Sequence, residues 1–138
     1  ANRLSAAADA LADRDLRFPY HNHDHESVSL DGRPALTHLL EAADGVGLEL
    51  DVGWAGAAGE DPLAYLDAHG DRITHVHLKD YDAVAGDTVV VGTGDLDLER
   101  TVELARENAV EWLIYEAETG ADSYATLETA ADAVAGLK

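Results

Sequence analysis

Along the chain, stretches with apolar residues at every third or fourth position alternate with short runs in which every second residue is apolar. The first period is that of a helix packed on one face, the second that of a half-buried strand. Helices are predicted near Asn2 to Asp13, Pro34 to Ala43, Pro62 to Ala68, Leu98 to Asn108 and Ser123 to Ala135. Strands are predicted near Arg17 to His23, Gly47 to Val52, Ile73 to Lys79 and Glu111 to Glu116. Asp61 stands as an N-cap ahead of Pro62 in the first helical turn, and Gly70 follows Ala68-His69 as a stop. This alternation of helix and strand predicts an α/β fold of parallel βα units. No low-complexity linker and no close repeat divides the chain, so residues 1–138 read as one domain.

The faces of the strands are more informative. In Ile73-Thr74-His75-Val76-His77-Leu78-Lys79 the period of two sends His75, His77 and Lys79 one way and Val76 and Leu78 the other. Glu49 and Asp51 likewise oppose Leu48, Leu50 and Val52, while His21 and His23 oppose Phe18 and Tyr20, and Ile114 and Glu116 oppose Leu113 and Tyr115. Each strand thus has one apolar face, fit for helices, and one that turns polar toward its C-terminal end. A sheet covered on both sides would read as continuous apolar runs. Polar groups gathered at C-terminal strand ends are the pattern of a (β/α)8 barrel mouth, where such barrels do chemistry. A complete barrel has eight βα units and roughly 250 residues, whereas this chain offers four strands.

Lys and Arg number 9 against 28 Asp and Glu, a formal net charge of −19. A field of that sign repels phosphate backbones and anionic lipid heads, which argues against nucleic-acid and membrane partners. Hydrophobic residues make up 46% of the chain, so the acid load is not that of a disordered segment. Acids such as Asp9, Asp13, Asp61, Asp122 and Asp132 are scattered, and Lys79 and Lys138 are the only lysines. The pattern predicts a halophilic source, where molar salt screens self-repulsion within ~3 Å. The absence of Cys removes disulfides, thiol nucleophiles and thiolate metal sites. No apolar run reaches the ~18 residues of a membrane span, and a cytoplasmic location is expected. With no initiator Met, the chain reads as beginning inside a longer or processed one.

The strand ends together supply His21, His23, Asp51, His77, Lys79 and Glu116, with Glu118 two residues on. Imidazoles with carboxylates form a ligand set for Mn²⁺, Zn²⁺, Co²⁺ or Mg²⁺. One His-x-His alone is more often an exposed or hydrogen-bonded pair, and one acid ending a strand is more often a cap. Repetition on the same face of four successive strands is what points to a site. Lys79 has the alternative of an ion pair with Asp80 or another acid. Gly92-Thr93-Gly94 lacks the spacing of a nucleotide fingerprint and reads as a turn leading to Asp97, the N-cap of the next helix. His38 and His69 read as structural or exposed.

The segments His21-Asn22-His23-Asp24-His25-Glu26, Leu50-Asp51-Val52-Gly53-Trp54, His75-Val76-His77-Leu78-Lys79-Asp80 and Val91-Gly92-Thr93-Gly94-Asp95-Leu96-Asp97 resemble the sugar phosphate isomerase/epimerase group of xylose isomerase-like TIM barrels, related to inosose dehydratases and ketose 3-epimerases. The likeness runs along essentially the whole chain, through Ala58-Gly59-Glu60-Asp61-Pro62 and Trp112-Leu113-Ile114-Tyr115-Glu116. It implies the C-terminal half of such a barrel, strands five to eight and the helix before them. It also implies one divalent metal ion held by residues from four strands. Asp51, His77 and Glu116 match the family's Asp, His and final Glu. Where many members read Glu-Asn-His this chain reads His21-Asn22-His23, so His21 is the implied first ligand, with Glu26 nearby.

The chemistry implied is proton abstraction beside a carbonyl through a metal-stabilised enediolate, giving isomerisation or epimerisation of a sugar or sugar phosphate, or dehydration of an inosose or keto-sugar. Glu116 is the expected acid/base, with Glu26 or His23 as the second group. Lys79 is expected to stabilise charge or bind a substrate oxygen, and His23 and Trp54 to contact substrate. The expected partner is a small-molecule sugar or keto-sugar. Two open sheet edges, near Arg17 and Glu111, further predict either a homo-oligomer or closure by a missing N-terminal half-barrel. The alternative is a truncated, non-catalytic member with a metal-binding surface.

Overall fold

The computed structural model describes residues 1–117 and 123–137; Glu118, Asp122 and Lys138 lie outside them. Helix α1 (Asn2–Ala12) leads into β1 (Pro19–His21), a 3-10 turn at Asp24–Ser27 and a small hairpin of β2 (Ser29–Leu30) and β3 (Arg33–Pro34). Then follow α2 (Ala35–Ala42), β4 (Gly47–Asp51), α3 (Val52–Ala57), α4 (Pro62–His69) and β5 (Ile73–Leu78). A second hairpin, β6 (Asp80–Asp82) and β7 (Asp87–Val89), precedes α5 (Leu98–Glu107), β8 (Trp112–Tyr115) and α6 (Ser123–Ala135).

Strands β1, β4, β5 and β8 form one parallel sheet in that order, with β1 and β8 at its edges. This is half of a TIM barrel, and the parallel βα units are those the alternation predicts. Register follows the hydrophobic pattern: Leu50 lies opposite Val76, and Asp51 opposite His77. Leu48, Leu50, Val76 and Leu78 pack under Leu36 and Leu40 of α2, Leu66 of α4, Leu104 of α5 and Ala130 of α6. Each fully buried Leu contributes on the order of 1.5–3 kcal/mol relative to exposure. Glu49, Asp51, His75 and His77 are thereby committed to the opposite face, since a one-residue slip would drive them into the apolar layer. A smaller cluster of Ala8, Ala43 and Val46 fastens α1 beside the sheet.

The caps lie where the sequence puts them. Asp61 Oδ1 accepts from the Leu63 N–H at 2.9 Å, and Asp97 Oδ1 from the Arg100 N–H at 3.0 Å. Three departures have local causes. Strand β1 ends at His21 because the Asn22 side chain takes over the pairing, donating to Asp51 O at 3.1 Å and accepting from Asp51 N–H at 2.9 Å. Strand β4 ends at Asp51 because its carboxylate caps α3, accepting from the Trp54 N–H at 2.8 Å. The β6–β7 hairpin is wrapped around Asp80, which is 2% exposed and accepts four backbone N–H bonds, from Tyr81, Gly92, Gly94 and Leu96.

Candidate metal centre

Strand β1 delivers His21, β4 delivers Asp51, β5 delivers His77 and the end of β8 delivers Glu116. One ligand atom from each of these four lies within 4.8 Å of the others. All four lie on the face turned from the helices: Asp51 and His77 are register partners, His21 pairs with Glu49 two residues before Asp51, and Glu116 stands two residues past Ile114, the partner of His77. His77 Nδ1 is 2.7 Å from Glu116 Oε2, and the His21 and His77 ring centroids are 4.5 Å apart. Asp51 is fully buried.

Lys79, one residue past β5 and 1% exposed, places its ammonium 3.0 Å from Asp51 Oδ2 and 3.1 Å from Glu116 Oε2. Of the partners open to it, it therefore takes two acids of the cluster, while Asp80 is engaged with backbone. Its Nζ also lies 5.2 Å from the Trp54 ring centroid. Gly53 makes room for this packing, since a Cβ there would stand 2.7 Å from Lys79 Cβ and Cγ. His23 joins the same rim, with ring centroids 4.7 Å from His21 and 6.1 Å from Trp54. Lys79, Trp54 and His23 thus flank the four clustered side chains.

Glu26 is placed differently. Its carboxylate accepts from the Tyr20 hydroxyl at 2.5 Å and from the His23 N–H at 2.8 Å, and it lies 2.9 Å from His25 Nε2. It closes the capping box of the Asp24–Ser27 turn and falls outside the four-residue cluster. Three further residues brace the surroundings of the cluster. Asn22 stitches β1 to β4, Asp80 organises the loop after β5, and Glu49 places a carboxylate on His77 Nε2. In the sequence Glu49 is marked by its place on the polar face of β4, and Asn22 and Asp80 only by standing inside the motifs that carry the resemblance.

The electrostatics favour a neutral His21 and an ionised Glu116. Burial lowers the pKa of His21, and the charge of His77 lowers it further, against an opposing pull from Asp51. For Glu116, burial alone would raise the carboxyl; hydrogen bonds from His77 and Lys79, with their charges, outweigh it and hold it below the ordinary carboxylate range. His21 Nδ1 is buried without a hydrogen bond, and Asp51 Oδ2 has only the Lys79 ammonium, 3.0 Å away, as an ion-pair partner. Buried polar atoms of this kind call for a partner, and a borderline divalent cation is one that two imidazoles and two carboxylates would accept. These residues fit a divalent ion.

An apolar cleft of about 320 Å³ lies elsewhere, between the outer face of β8 and α6, lined by Leu113, Leu127 and Val134 among others. The cluster sits on the open concave face, which four strands do not enclose.

Residues 1–138 match the family model of the xylose isomerase-like TIM barrel. The chain belongs to this family. The inosose dehydratase of Clostridium botulinum is 30% identical over 138 residues, covering 86% of this chain and 46% of that protein. The structure of a sugar phosphate isomerase/epimerase from Parabacteroides distasonis superimposes with TM-score 0.79 at 25% identity, covering 96% of this chain and 51% of that one. A xylose isomerase domain protein from Planctomyces limnophilus, 18% identical with TM-score 0.73 over 96% of this chain and 51% of its own, shares the fold. The chain spans about half the length of the xylose isomerase-like relatives it matches. Among the described residues, no helix is long and apolar enough to cross a membrane.

Proposed function

We propose that this chain carries the metal-binding half of a xylose isomerase-like enzyme that moves a proton beside the carbonyl of a small polyhydroxylated substrate. The observation that carries this reading is the convergence of His21, Asp51, His77 and Glu116 from four strands, with donor atoms within 4.8 Å of one another. A divalent ion bound there would supply Lewis acidity to a carbonyl and its neighbouring hydroxyl, making the carbon-bound proton between them easier to remove.

The protein's own residues account for the rest. Glu116, kept ionised by His77 and Lys79, is the base that takes the proton and the acid that returns it. Lys79 holds its ammonium beside the reacting oxygens and offsets their developing negative charge. His23 and Trp54 orient the substrate along the rim, the indole covering the apolar C–H side of a sugar ring. Glu26, bound into its turn, acts by holding His23. Return of the proton to the opposite face gives epimerisation, return to the neighbouring carbon gives isomerisation, and loss of a β-hydroxyl gives dehydration. Several relatives named inosose dehydratase favour dehydration as the second reading.

Enclosure requires four further βα units against the β1 and β8 edges, from an N-terminal half-barrel or a second copy. Trp112, 62% exposed on the β8 edge strand, is apolar surface such closure would cover. The test follows proton exchange. The chain, alone and mixed with a separately expressed N-terminal half-barrel, is incubated with Mn²⁺ and ketoses or inososes in D₂O, and the carbon-bound proton next to the carbonyl is followed by NMR. Deuterium incorporation or water loss that disappears in Glu116→Gln supports the proposal. No exchange under either condition favours the non-catalytic metal-binding member.

A further inference from the structure

On the concave face, Glu49 lies opposite His21 of β1 and opposite His75 of β5, and its carboxylate reaches diagonally to His77 Nε2. His77 is therefore held at both ring nitrogens, by Glu49 at Nε2 and by Glu116 Oε2 at Nδ1, 2.7 Å away. The two contacts are not equivalent. Glu116 belongs to the four-residue cluster whose donor atoms converge, whereas Glu49 lies two residues before Asp51 and outside that set.

We infer that Glu49 is a positioning residue for the metal centre: it holds the Nε2–H of His77 and so presents Nδ1 as the ligand atom. The inference rests on the metal-binding reading of the cluster and adds which nitrogen binds and what orients it. An imidazole ligand has one lone pair to give, and the partner of the other nitrogen decides the tautomer and the ring plane. Nδ1 is the nitrogen on the Glu116 side, 2.7 Å from a carboxylate of the four-residue cluster. Nε2 is turned toward Glu49, a carboxylate that can only accept while ionised. The His77 side chain is 15% exposed and that of Glu49 22%, so little water competes for the bond. Glu49 sits in the middle of β4, between Leu48 and Leu50, both fully buried, and pairs with His21 on one side and His75 on the other, the β4–β5 register shifting by one residue just before it. A carboxylate mounted on a central strand holds a ligand more rigidly than one carried on a loop.

The test uses the 138-residue chain, Zn²⁺ as a diamagnetic probe, and three proteins: unaltered, Glu49→Gln and Glu49→Leu. Glutamine retains an oxygen acceptor of the same reach, whereas leucine keeps the volume and removes the acceptor. Zn²⁺ affinity by calorimetry is expected to fall by about 10- to 100-fold in Glu49→Leu and by less than about threefold in Glu49→Gln. Long-range ¹H–¹⁵N spectra of the unaltered zinc-loaded chain should show His77 metallated at Nδ1 and protonated at Nε2, a signature that backbone packing does not set. His77 bound through Nε2 would overturn the inference even if Glu49→Leu failed to fold. Undiminished affinity in Glu49→Leu, or an equal loss in both variants, would overturn it while leaving the metal centre in place. Absence of any Zn²⁺ binding by the unaltered chain would overturn the metal reading and this inference with it.

Discussion

Asp80→Ala tests whether one buried carboxylate builds the loop that follows β5. In the native chain Asp80 Oδ1 accepts from Tyr81 N–H at 2.8 Å and Leu96 N–H at 2.9 Å, and Oδ2 from Gly92 N–H at 3.0 Å and Gly94 N–H at 2.9 Å. The four bonds differ in worth. The Leu96 N–H is buried, so leaving it without a partner costs about 1–3 kcal/mol. Gly92 and Gly94 are exposed and can turn to water, so each loses only the net value of its bond, about 1 kcal/mol. The Tyr81 bond is local and adds little. The sum is about 3–5 kcal/mol, a large share of the ~5–15 kcal/mol that holds a domain together. Urea unfolding in molar KCl measures it; with a slope of about 2 kcal/mol/M the midpoint should fall by about 2 M. Gly94→Ala should act on the same loop, because a Cβ there would stand 2.5 Å from Asp80 Oδ1 and 2.3 Å from Tyr81 O. A midpoint within about 0.3 M of the unaltered chain in Asp80→Ala would refute the reasoning, since the loop would then be held by something other than this carboxylate.

Lys79→Met leaves Asp51 and Glu116 facing each other without their shared cation, so the metal-free chain should lose about 3–5 kcal/mol in urea unfolding, and saturating Mn²⁺ should restore most of it. Burial and the bond to Glu26 push the Tyr20 hydroxyl up to about 12. An unfolded tyrosine ionises near ~10, so this contribution to stability is present below that pH and fades as pH climbs to 12; ultraviolet titration should show one late phenol that Tyr20→Phe removes. With a net charge of −19, the thermal midpoint should fall as KCl is lowered from molar to about 0.1 M, where the screening length grows from ~3 to ~10 Å. A midpoint indifferent to salt would count against a halophilic fold.

The parallel sheet was legible because Leu48, Leu50, Val76 and Leu78 leave only one register that buries them all. The same alternation placed Asp51, His77 and Glu116 on one face; Asp51 and His77 meet as register partners, while Glu116 stands two residues past Ile114, the partner of His77. Less was legible where side chains replace backbone partners. Nothing local distinguishes Asn22 from an ordinary turn residue, yet it pairs with Asp51 29 positions away. Asp80 reads as a charged residue beside Lys79, although three of its four partners lie 12 to 16 positions on. Helix α3 went unread because its cap, Asp51, is also the residue on which the site converges. Glu26 reads as a second acid near the mouth, but the capping box and Tyr20 draw it into its own turn.

The central claim is that His21, Asp51, His77 and Glu116 together hold one divalent ion. Isothermal titration of the purified chain with Mn²⁺ in molar KCl, beside His77→Ala and Asp51→Ala, is the most direct measurement. About one ion should bind per chain at this centre, with a loss of affinity of tenfold or more in each variant. Binding of equal strength and stoichiometry in all three proteins would contradict it, and would place the ion among the scattered surface acids instead.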